Sequence, residues 1–267
     1  MSGHAADFTG GIPQHYDRYL GPVLFADYAN DIAQRTVVAS PRRVLELAAG
    51  TGIVTRRLRD LLPTGVHITA TDLNPPMLAV ARTKFQLGEQ VDFRQADATA
   101  LPFPDNAFDA VVCQFGMMFF PDKDKSFREV YRVLAPGGRY LFNVWDPSRG
   151  FHPTTEVVST FFPDDPPQFY KVPFSYHRID PIKASLEAAG FLDLKFTVLT
   201  LEKEIGRADD FARGLIHGNP IVDEIRKRGG VDPEHVVNAL TVALHRQYGV
   251  DSAPMTLQAI VVESTKK

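Results

Sequence analysis

The segment 44–55, with the sequence VLELAAGTGIVT, constrains the fold of this chain more than any other. Its apolar half ends in an acidic residue and a short glycine-containing turn, and an amphipathic stretch with leucines at helical spacing follows directly. This order predicts a strand, a tight loop and a helix. Glycine allows backbone conformations that a Cβ forbids and lets a ligand lie against the main chain. Because the first helical turn has free N–H groups, it favours a polar or anionic ligand.

An aspartate that follows twenty residues after Gly52 indicates which kind of ligand this loop binds. A second apolar strand, 66–71, ends at Asp72. A carboxylate at this spacing is placed to accept hydrogen bonds from a ribose diol. Alternatively, Asp72 caps the helix that Pro75 and Pro76 open, and both roles are compatible. The sequence therefore predicts a nucleoside-containing cofactor bound on a doubly wound α/β sheet.

The turn differs from the loops that bind other nucleotides. A dinucleotide fingerprint requires a third small residue, but Thr55 stands at that position, and a β-branched side chain crowds the helix against the strand. The phosphate-binding loop of nucleoside triphosphatases is excluded, because no Gly-Lys-Ser or Gly-Lys-Thr follows. A nicotinamide-dependent oxidoreductase is thus disfavoured but stays an alternative.

Five segments in chain order resemble the motifs of class I S-adenosylmethionine-dependent methyltransferases. They are residues 46–52, 71–78, 95–98 with 101–103, 106–111 and 132–138. Together they cover about residues 40–146, and the subfamily most similar to them is the ubiquinone/menaquinone-biosynthesis-like (type 11) group of small-molecule methyltransferases. One departure is Ala48, which replaces the first glycine of motif I. We expect the loop to keep its conformation, because alanine is small and needs only a negative φ there.

The resemblance implies S-adenosyl-L-methionine as the cofactor, with S-adenosyl-L-homocysteine as the product, and assigns residues to it. The implied cofactor-binding residues are Tyr19, Glu46, Ala48, Gly50, Thr51, Gly52, Asp72, Leu73, Met77, Ala96, Asp97, Ala98, Gln114 and Phe115. Asp97 would accept a hydrogen bond from the adenine amino group; otherwise it is a turn aspartate. Glu46 is more typical of a carboxylate that organises the loop than of a direct ligand contact.

Candidates for catalysis and for acceptor binding are less defined. Methyl transfer from a sulfonium is an in-line displacement that depends mainly on positioning, so the absence of a base motif does not argue against it. Weak catalytic candidates are His15, His152 and Gln114, and acceptor-binding candidates are Tyr16, Met118, Trp145, Phe151 and Tyr170. Most of these side chains would serve equally well in a hydrophobic core.

The segments outside the motifs indicate what kind of molecule is methylated. The aromatic-rich stretch 146–181 and the helical segment 207–250 would build the acceptor pocket, and their composition favours a small, mostly apolar or aromatic organic molecule. Two other functions stay open. One is a protein that binds the cofactor without turnover, and the other is a methyltransferase with a protein or RNA acceptor.

The spacing of apolar residues predicts the architecture. Strands are expected at 43–48, 66–71, 91–95, 108–113, 138–145, 192–202 and 255–263, with helices between them. The resemblance implies a Rossmann-like, seven-stranded, mostly parallel sheet with helices on both faces, the last strand antiparallel, and a helical insertion before it. We expect a helical cap over 1–40, a cofactor-binding core over 41–146, and substrate-side elements with a lid over 147–267. The Gly-rich residues 1–12 are expected to be mobile.

Composition excludes several classes of function. The net charge is −3, so the chain lacks the basic field typical of nucleic-acid binding. The single cysteine, Cys113, excludes a disulfide framework, and no spacing of ligand residues predicts a metal. No apolar run approaches the ~20 residues of a membrane span, and the first residues lack a signal-peptide pattern. We therefore expect a cytoplasmic protein with a small-molecule partner; its oligomeric state stays open, with a homodimer among the alternatives.

Overall fold

The computed structural model describes residues 6–147, 153–249 and 254–267. Its strands are β1 (Arg43–Glu46), β2 (His67–Asp72), β3 (Val91–Gln95), β4 (Phe108–Gln114), β5 (Leu134–Trp145), β6 (Phe191–Lys203) and β7 (Met255–Lys266). In the described ranges they form one sheet of order β3-β2-β1-β4-β5-β7-β6. The pairs among β1 to β5 are parallel, whereas β7 runs antiparallel to both of its neighbours. The predicted Rossmann-like sheet with an antiparallel last strand is confirmed.

Helices cover the sheet and form the insertion before β7. They are α1 (Ile12–His15), α2 (Ala26–Val37), α3 (Ile53–Leu61), α4 (Pro75–Arg82), α5 (Lys123–Val133), α6 (Thr154–Phe161), α7 (Ile179–Ala189), α8 (Ala208–His217), α9 (Ile221–Arg228) and α10 (Pro233–Tyr248). Two short 3₁₀ helices span Met117–Phe119 and Phe169–Lys171. The predicted insertion corresponds to α8, α9 and α10. None of the helices in the described ranges has both the length and the apolar character required to cross a bilayer.

A π-helical segment, Tyr16–Phe25, joins α1 to α2 and lies over the carboxyl ends of the strands. It contains Pro22, which has no N–H and cannot make a regular helical hydrogen bond. Gly21 brings this segment close to α3, since a Cβ there would lie 3.2 Å from the Ile53 side chain. Gly214 does the same for α8, because a Cβ would lie 2.7 Å from Leu20. The segment is thereby held between the sheet and the helical insertion.

The expectation that residues 1–12 are mobile is wrong for the described part, residues 6–12. Phe8 is 9 % exposed and belongs to the main hydrophobic core. Its backbone N–H donates to Asn74 Oδ1 at 3.2 Å, and Asn74 Nδ2 donates to the Ala6 carbonyl at 2.9 Å. One buried aromatic ring and two hydrogen bonds thus attach this segment to the loop after β2, despite the glycines at 10 and 11.

The expectation that Ala48 needs only a negative φ is also wrong. Its φ is +50°, in the left-handed region where a Cβ is unfavourable. Gly116 accommodates this alanine, because a Cβ on Gly116 would lie 2.5 Å from the Ala48 Cβ. The loop after β1 therefore keeps its shape with local backbone strain at Ala48, and its packing requires a glycine at position 116.

Candidate functional site

The loop after β1 is fixed by hydrogen bonds to the two neighbouring strands. The Leu47 N–H donates to the Val112 carbonyl of β4 at 2.8 Å, and the Ala49 N–H donates to the Thr71 carbonyl of β2 at 2.8 Å. Gly52, at φ +78°, is the N-cap of α3. The carboxyl ends of β1, β2 and β4 thus meet at this loop, which is where open α/β sheets bind ligands.

Asp72 connects this loop to the next one. It is 7 % exposed, and its Oδ2 accepts from the Gly50 N–H at 2.9 Å while its Oδ1 accepts from the Asn74 N–H at 2.8 Å. Burial raises the pKa of the Asp72 carboxyl above its ordinary value, and these backbone N–H groups oppose the shift. Asn74, not Asp72, is the N-cap residue of α4, so the capping alternative does not describe Asp72. Oδ1 also accepts from Asn74 Nδ2 at 3.3 Å, whereas Oδ2 still has a lone pair for a further donor.

A cavity of about 790 Å³ opens beside Asp72. Ten of the fourteen predicted cofactor residues line it: Ala48, Gly50, Asp72, Leu73, Met77, Ala96, Asp97, Ala98, Gln114 and Phe115. These residues come from the ends of β1, β2, β3 and β4 and the loops that follow them. The cavity therefore brings together residues of the first three motif segments and the residues at the end of β4.

Comparison with known proteins agrees with this geometry. Residues 45–142 match the sequence model of the family described as "Methyltransferase domain", type 11. These residues are thus similar in sequence to a methyltransferase domain. A solved structure with the same fold over almost the whole chain is Haemonchus contortus phosphoethanolamine N-methyltransferase 2 in complex with S-adenosyl-L-methionine. Its TM-score is 0.63 at 18 % identity, over 98 % of this chain and 60 % of that one.

Curated relatives match part of the chain more closely in sequence. The chain is 50 % identical over 103 residues to demethylmenaquinone methyltransferase of Thermus thermophilus, which is 38 % of this chain and 46 % of that protein. It is 42 % identical over 119 residues to the ubiquinone/menaquinone biosynthesis C-methyltransferase UbiE of Hahella chejuensis, 43 % of this chain and 46 % of the relative. The chain thus spans about half the length of these relatives.

Four predicted cofactor residues, Tyr19, Glu46, Thr51 and Gly52, lie outside the lining of this cavity. Glu46 is 2 % exposed beneath the loop, where the Thr55 hydroxyl donates to its Oε2 at 2.6 Å. Burial raises the pKa of Glu46 to about 8, and the hydrogen bonds from Thr55 oppose the shift. Glu46 thus joins the end of β1 to the first turn of α3, which fits the loop-organising role better than direct contact.

The other three have structural surroundings of their own. The Thr51 hydroxyl is buried and has no hydrogen-bond partner among the described residues. A Cβ on Gly52 would lie 2.9 Å from the Ala81 Cβ, so this glycine lets α3 approach α4. Tyr19 stacks on His15 at 5.8 Å between ring centroids.

Asp97 makes the contacts of a turn aspartate and also lines the first cavity. Its Oδ1 accepts hydrogen bonds from the Thr99 N–H at 2.7 Å and the Thr99 hydroxyl at 2.8 Å, as a turn aspartate does. It also lines the cavity next to Ala96 and Ala98. The turn therefore holds the Asp97 carboxylate at the cavity wall.

A second cavity, of about 500 Å³, adjoins the first. Its fourteen lining residues are Phe8, Tyr16, Leu20, Leu24, Phe25, Phe115, Phe119, Trp145, Phe169, Tyr170, Pro173, Phe174, Leu215 and Asn219. Nine of these are aromatic and none carries a charged side chain, so the cavity suits an uncharged, flat molecule. Four of them, Phe8, Tyr16, Phe115 and Phe119, also line the first cavity. The two cavities therefore share a wall of aromatic rings.

Three of the predicted acceptor residues line this second cavity, namely Tyr16, Trp145 and Tyr170. Trp145 stacks on Phe115 with 3.8 Å between ring centroids. Met118 is 3 % exposed and lines neither cavity, so it is a core residue. Phe151 and His152 lie outside the described residues.

The catalytic candidates in the described ranges occupy different places. Gln114 lines the first cavity; its Nε2 donates to the Phe25 carbonyl at 3.2 Å, and its buried Oε1 has no partner in the described part of the chain. His15 lines neither of the two cavities and lies 5.3 Å from the His217 ring. Burial and the neighbouring His217 lower the pKa of His15. The structure therefore separates His15 from both cavities.

Sequence reasoning missed several residues of the two cavities, among them Phe8, Asn74 and Asn219. Phe8 is the aromatic residue within the Gly-rich start of the chain. The composition of that segment indicated mobility and did not mark this residue. No pattern around Asn219 distinguishes it from a loop asparagine.

Proposed function

We propose that this protein transfers a methyl group from S-adenosyl-L-methionine to a small, uncharged, mostly aromatic acceptor. The observation that carries the proposal is the pair of adjoining cavities at the carboxyl ends of the parallel strands. One is bordered by exposed backbone and carboxylates, and the other by aromatic rings. A donor and an acceptor bound side by side would meet at the wall that both cavities share.

The first cavity fits the parts of S-adenosyl-L-methionine. Asp72 has acceptor capacity for a ribose diol, and Asp97 with the backbone around Ala98 is suited to an adenine edge. Gly50 has no side chain that would cover the main chain, and a Cβ at this position would lie 3.5 Å from the Met77 side chain. The cofactor supplies an electrophilic methyl group on sulfur, so the residues of the chain need only hold and orient it.

The wall between the cavities would orient the acceptor and exclude water. Tyr16 stacks on Phe25 with ring centroids 4.8 Å apart and packs edge-on against Phe8 at 6.0 Å. Burial, followed by the nearby Asp72, raises the pKa of the Tyr16 hydroxyl, so this group stays protonated. Exclusion of water by these rings would strengthen the electrostatic interactions of the sulfonium with surrounding dipoles.

The shape of the second cavity favours a small acceptor over a macromolecular one. Its lining comes from the N-terminal helices, the aromatic stretch and the helical insertion, which together surround it. A protein or RNA acceptor would need an open groove with polar or basic residues. The names of the curated relatives, which concern quinone biosynthesis, are compatible with an aromatic ring as the acceptor.

Isothermal titration calorimetry with S-adenosyl-L-homocysteine tests the cofactor part of this proposal. Asp72→Ala should weaken binding about 10- to 150-fold, because hydrogen bonds to a charged group contribute roughly 1.5–3 kcal/mol. Asp180→Ala, an exposed aspartate at the start of α7, is the matched control and should bind as the unchanged protein does. The proposal would be contradicted if Asp72→Ala bound with unchanged affinity, or if the unchanged protein did not bind S-adenosyl-L-homocysteine.

A further inference from the structure

The second cavity has one polar region, formed by Asn219 and Tyr170. Asn219 lies between α8 and α9, and Tyr170 lies in the 3₁₀ helix Phe169–Lys171. Both residues lie outside residues 45–142, so the match to the methyltransferase family does not describe this region. Asn219 is 7 % exposed, and a side-chain amide this buried must satisfy its polar atoms locally or with a ligand.

The donor groups of this pair are already used within the protein. Asn219 Nδ2 donates to the Leu215 carbonyl at 3.2 Å and to the Tyr170 hydroxyl at 3.3 Å. The Tyr170 hydroxyl donates to the same Leu215 carbonyl at 2.6 Å. An amide has two N–H donors and a phenol has one, so neither side chain has a donor left for a ligand.

The hydrogen-bond acceptors of Asn219 and Tyr170 are not all occupied within the protein. In the described part of the chain, no hydrogen bond reaches Asn219 Oδ1. The Leu215 carbonyl fixes the orientation of the amide, because the reversed amide would place two oxygens against each other. The polar region of an otherwise apolar cavity can therefore accept hydrogen bonds but not donate them.

We infer that Asn219 is a specificity-determining residue that selects acceptors carrying an O–H or N–H group. A flat, uncharged molecule with such a donor would satisfy Asn219 Oδ1, while its rings pack against the aromatic lining. A molecule whose polar atoms only accept hydrogen bonds, such as an ether or a ketone, would place a second acceptor against Asn219 Oδ1 with no hydrogen between them. The inference rests on the proposed function, since that proposal places the methyl acceptor in the second cavity.

A pair of ligands that differ in one donor tests this inference. The affinity of the protein, saturated with S-adenosyl-L-homocysteine, is measured by fluorescence titration for 2-naphthol and for 2-methoxynaphthalene. We expect about tenfold tighter binding of 2-naphthol, the effect of one net hydrogen bond. Asn219→Leu should reduce this ratio to about one. Asn238→Leu, the same substitution at an exposed site on α10, should keep the ratio.

A second variant keeps the test informative if Asn219→Leu does not fold. Tyr170→Phe leaves Asn219 hydrogen-bonded to Leu215 but frees the N–H that donated to the Tyr170 hydroxyl. A ligand that only accepts hydrogen bonds can use this donor, so the preference for 2-naphthol should fall but not vanish. Equal affinity of the unchanged protein for both ligands, or no binding of either, would overturn the inference. If S-adenosyl-L-homocysteine binds normally in the same samples, neither failure concerns the cofactor part of the proposed function. Equal affinity then concerns Asn219 alone, and no binding of either ligand concerns the place of the acceptor in the second cavity.

Discussion

Glu46 makes the stability of this protein depend on pH in an unusual direction. The carboxyl group is buried at the end of β1, and burial raises its pKa from the ordinary 4.5 to about 8. In the unfolded chain it ionises at its ordinary pKa. Between these two values the folded protein therefore holds one proton more than the unfolded protein, and the free energy of unfolding falls as the pH rises.

The size of the effect follows from the two pKa values. Each pH unit in this window lowers the free energy of unfolding by about 1.4 kcal/mol, which amounts to at most about 5 kcal/mol between pH 4.5 and 8. That is a large fraction of the roughly 5–15 kcal/mol typical of folded domains. The stabilisation is fully present below the unfolded pKa and is lost as the pH passes through the folded pKa.

Glu46→Gln isolates this contribution, because glutamine keeps the shape of the side chain and cannot ionise. Urea unfolding of both proteins is measured at several pH values, and the free energy of the variant is subtracted from that of the unchanged protein. Groups present in both proteins, such as His15, largely cancel in this difference. We expect the difference to decrease from pH 5 to pH 8 and then to level off.

The exposed glutamate of α7, Glu187, provides the control for removal of one carboxylate. Glu187→Gln is measured in the same way as Glu46→Gln. A difference curve for Glu46→Gln that does not fall with pH would show that Glu46 is ionised in the folded protein at neutral pH. The reasoning from its burial beneath the loop would then be refuted.

Two further predictions concern glycines around the first cavity. Gly116→Ala should destabilise the fold by about 1–3 kcal/mol, because the new Cβ overlaps the Ala48 Cβ. In a protein that already carries Ala48→Gly, Gly116→Ala should lower the free energy of unfolding by at least ~0.5 kcal/mol less. If the two substitutions have additive effects in urea unfolding, this coupling is contradicted. Gly52→Ala should also destabilise the fold by about 1–3 kcal/mol, because φ is +78° and the new Cβ would lie 2.9 Å from the Ala81 Cβ. Gly65→Ala, where the space is open, should change stability by less than about 1 kcal/mol, as thermal and urea unfolding would show.

The sheet and the cofactor side of the site follow closely from the sequence. Strand bounds in the described ranges agree with the predicted ones within a few residues, except that β5 begins at Leu134 instead of 138. This agreement is expected, because each element is marked by a local apolar period and by the residues of its ends. The strands β1, β2 and β3 are neighbours in a parallel sheet of this order. Their carboxyl ends carry or precede Gly50, Asp72 and Asp97, so the proximity of these residues at one edge is predictable.

The conformation of the loop was less predictable than its position. The sequence shows a small residue at 48, but the φ of +50° depends on the hydrogen bonds of Leu47 and Ala49 to two neighbouring strands. Similarly, the sequence places a glutamate at 46 without showing whether it faces the cavity. Its contact with Thr55 arises only when α3 packs against the end of β1.

The sequence by itself thus determined the parallel sheet, the side-chain-poor turn and the carboxylates beside it, because local periodicity and fixed spacing encode them. Only the tertiary structure decided what the second cavity is made of. Phe8, Trp145 and Asn219 come from segments far apart in the chain, and no local pattern relates them. Their meeting depends on how the N-terminal helices and the insertion before β7 pack against each other, which is a property of the whole core.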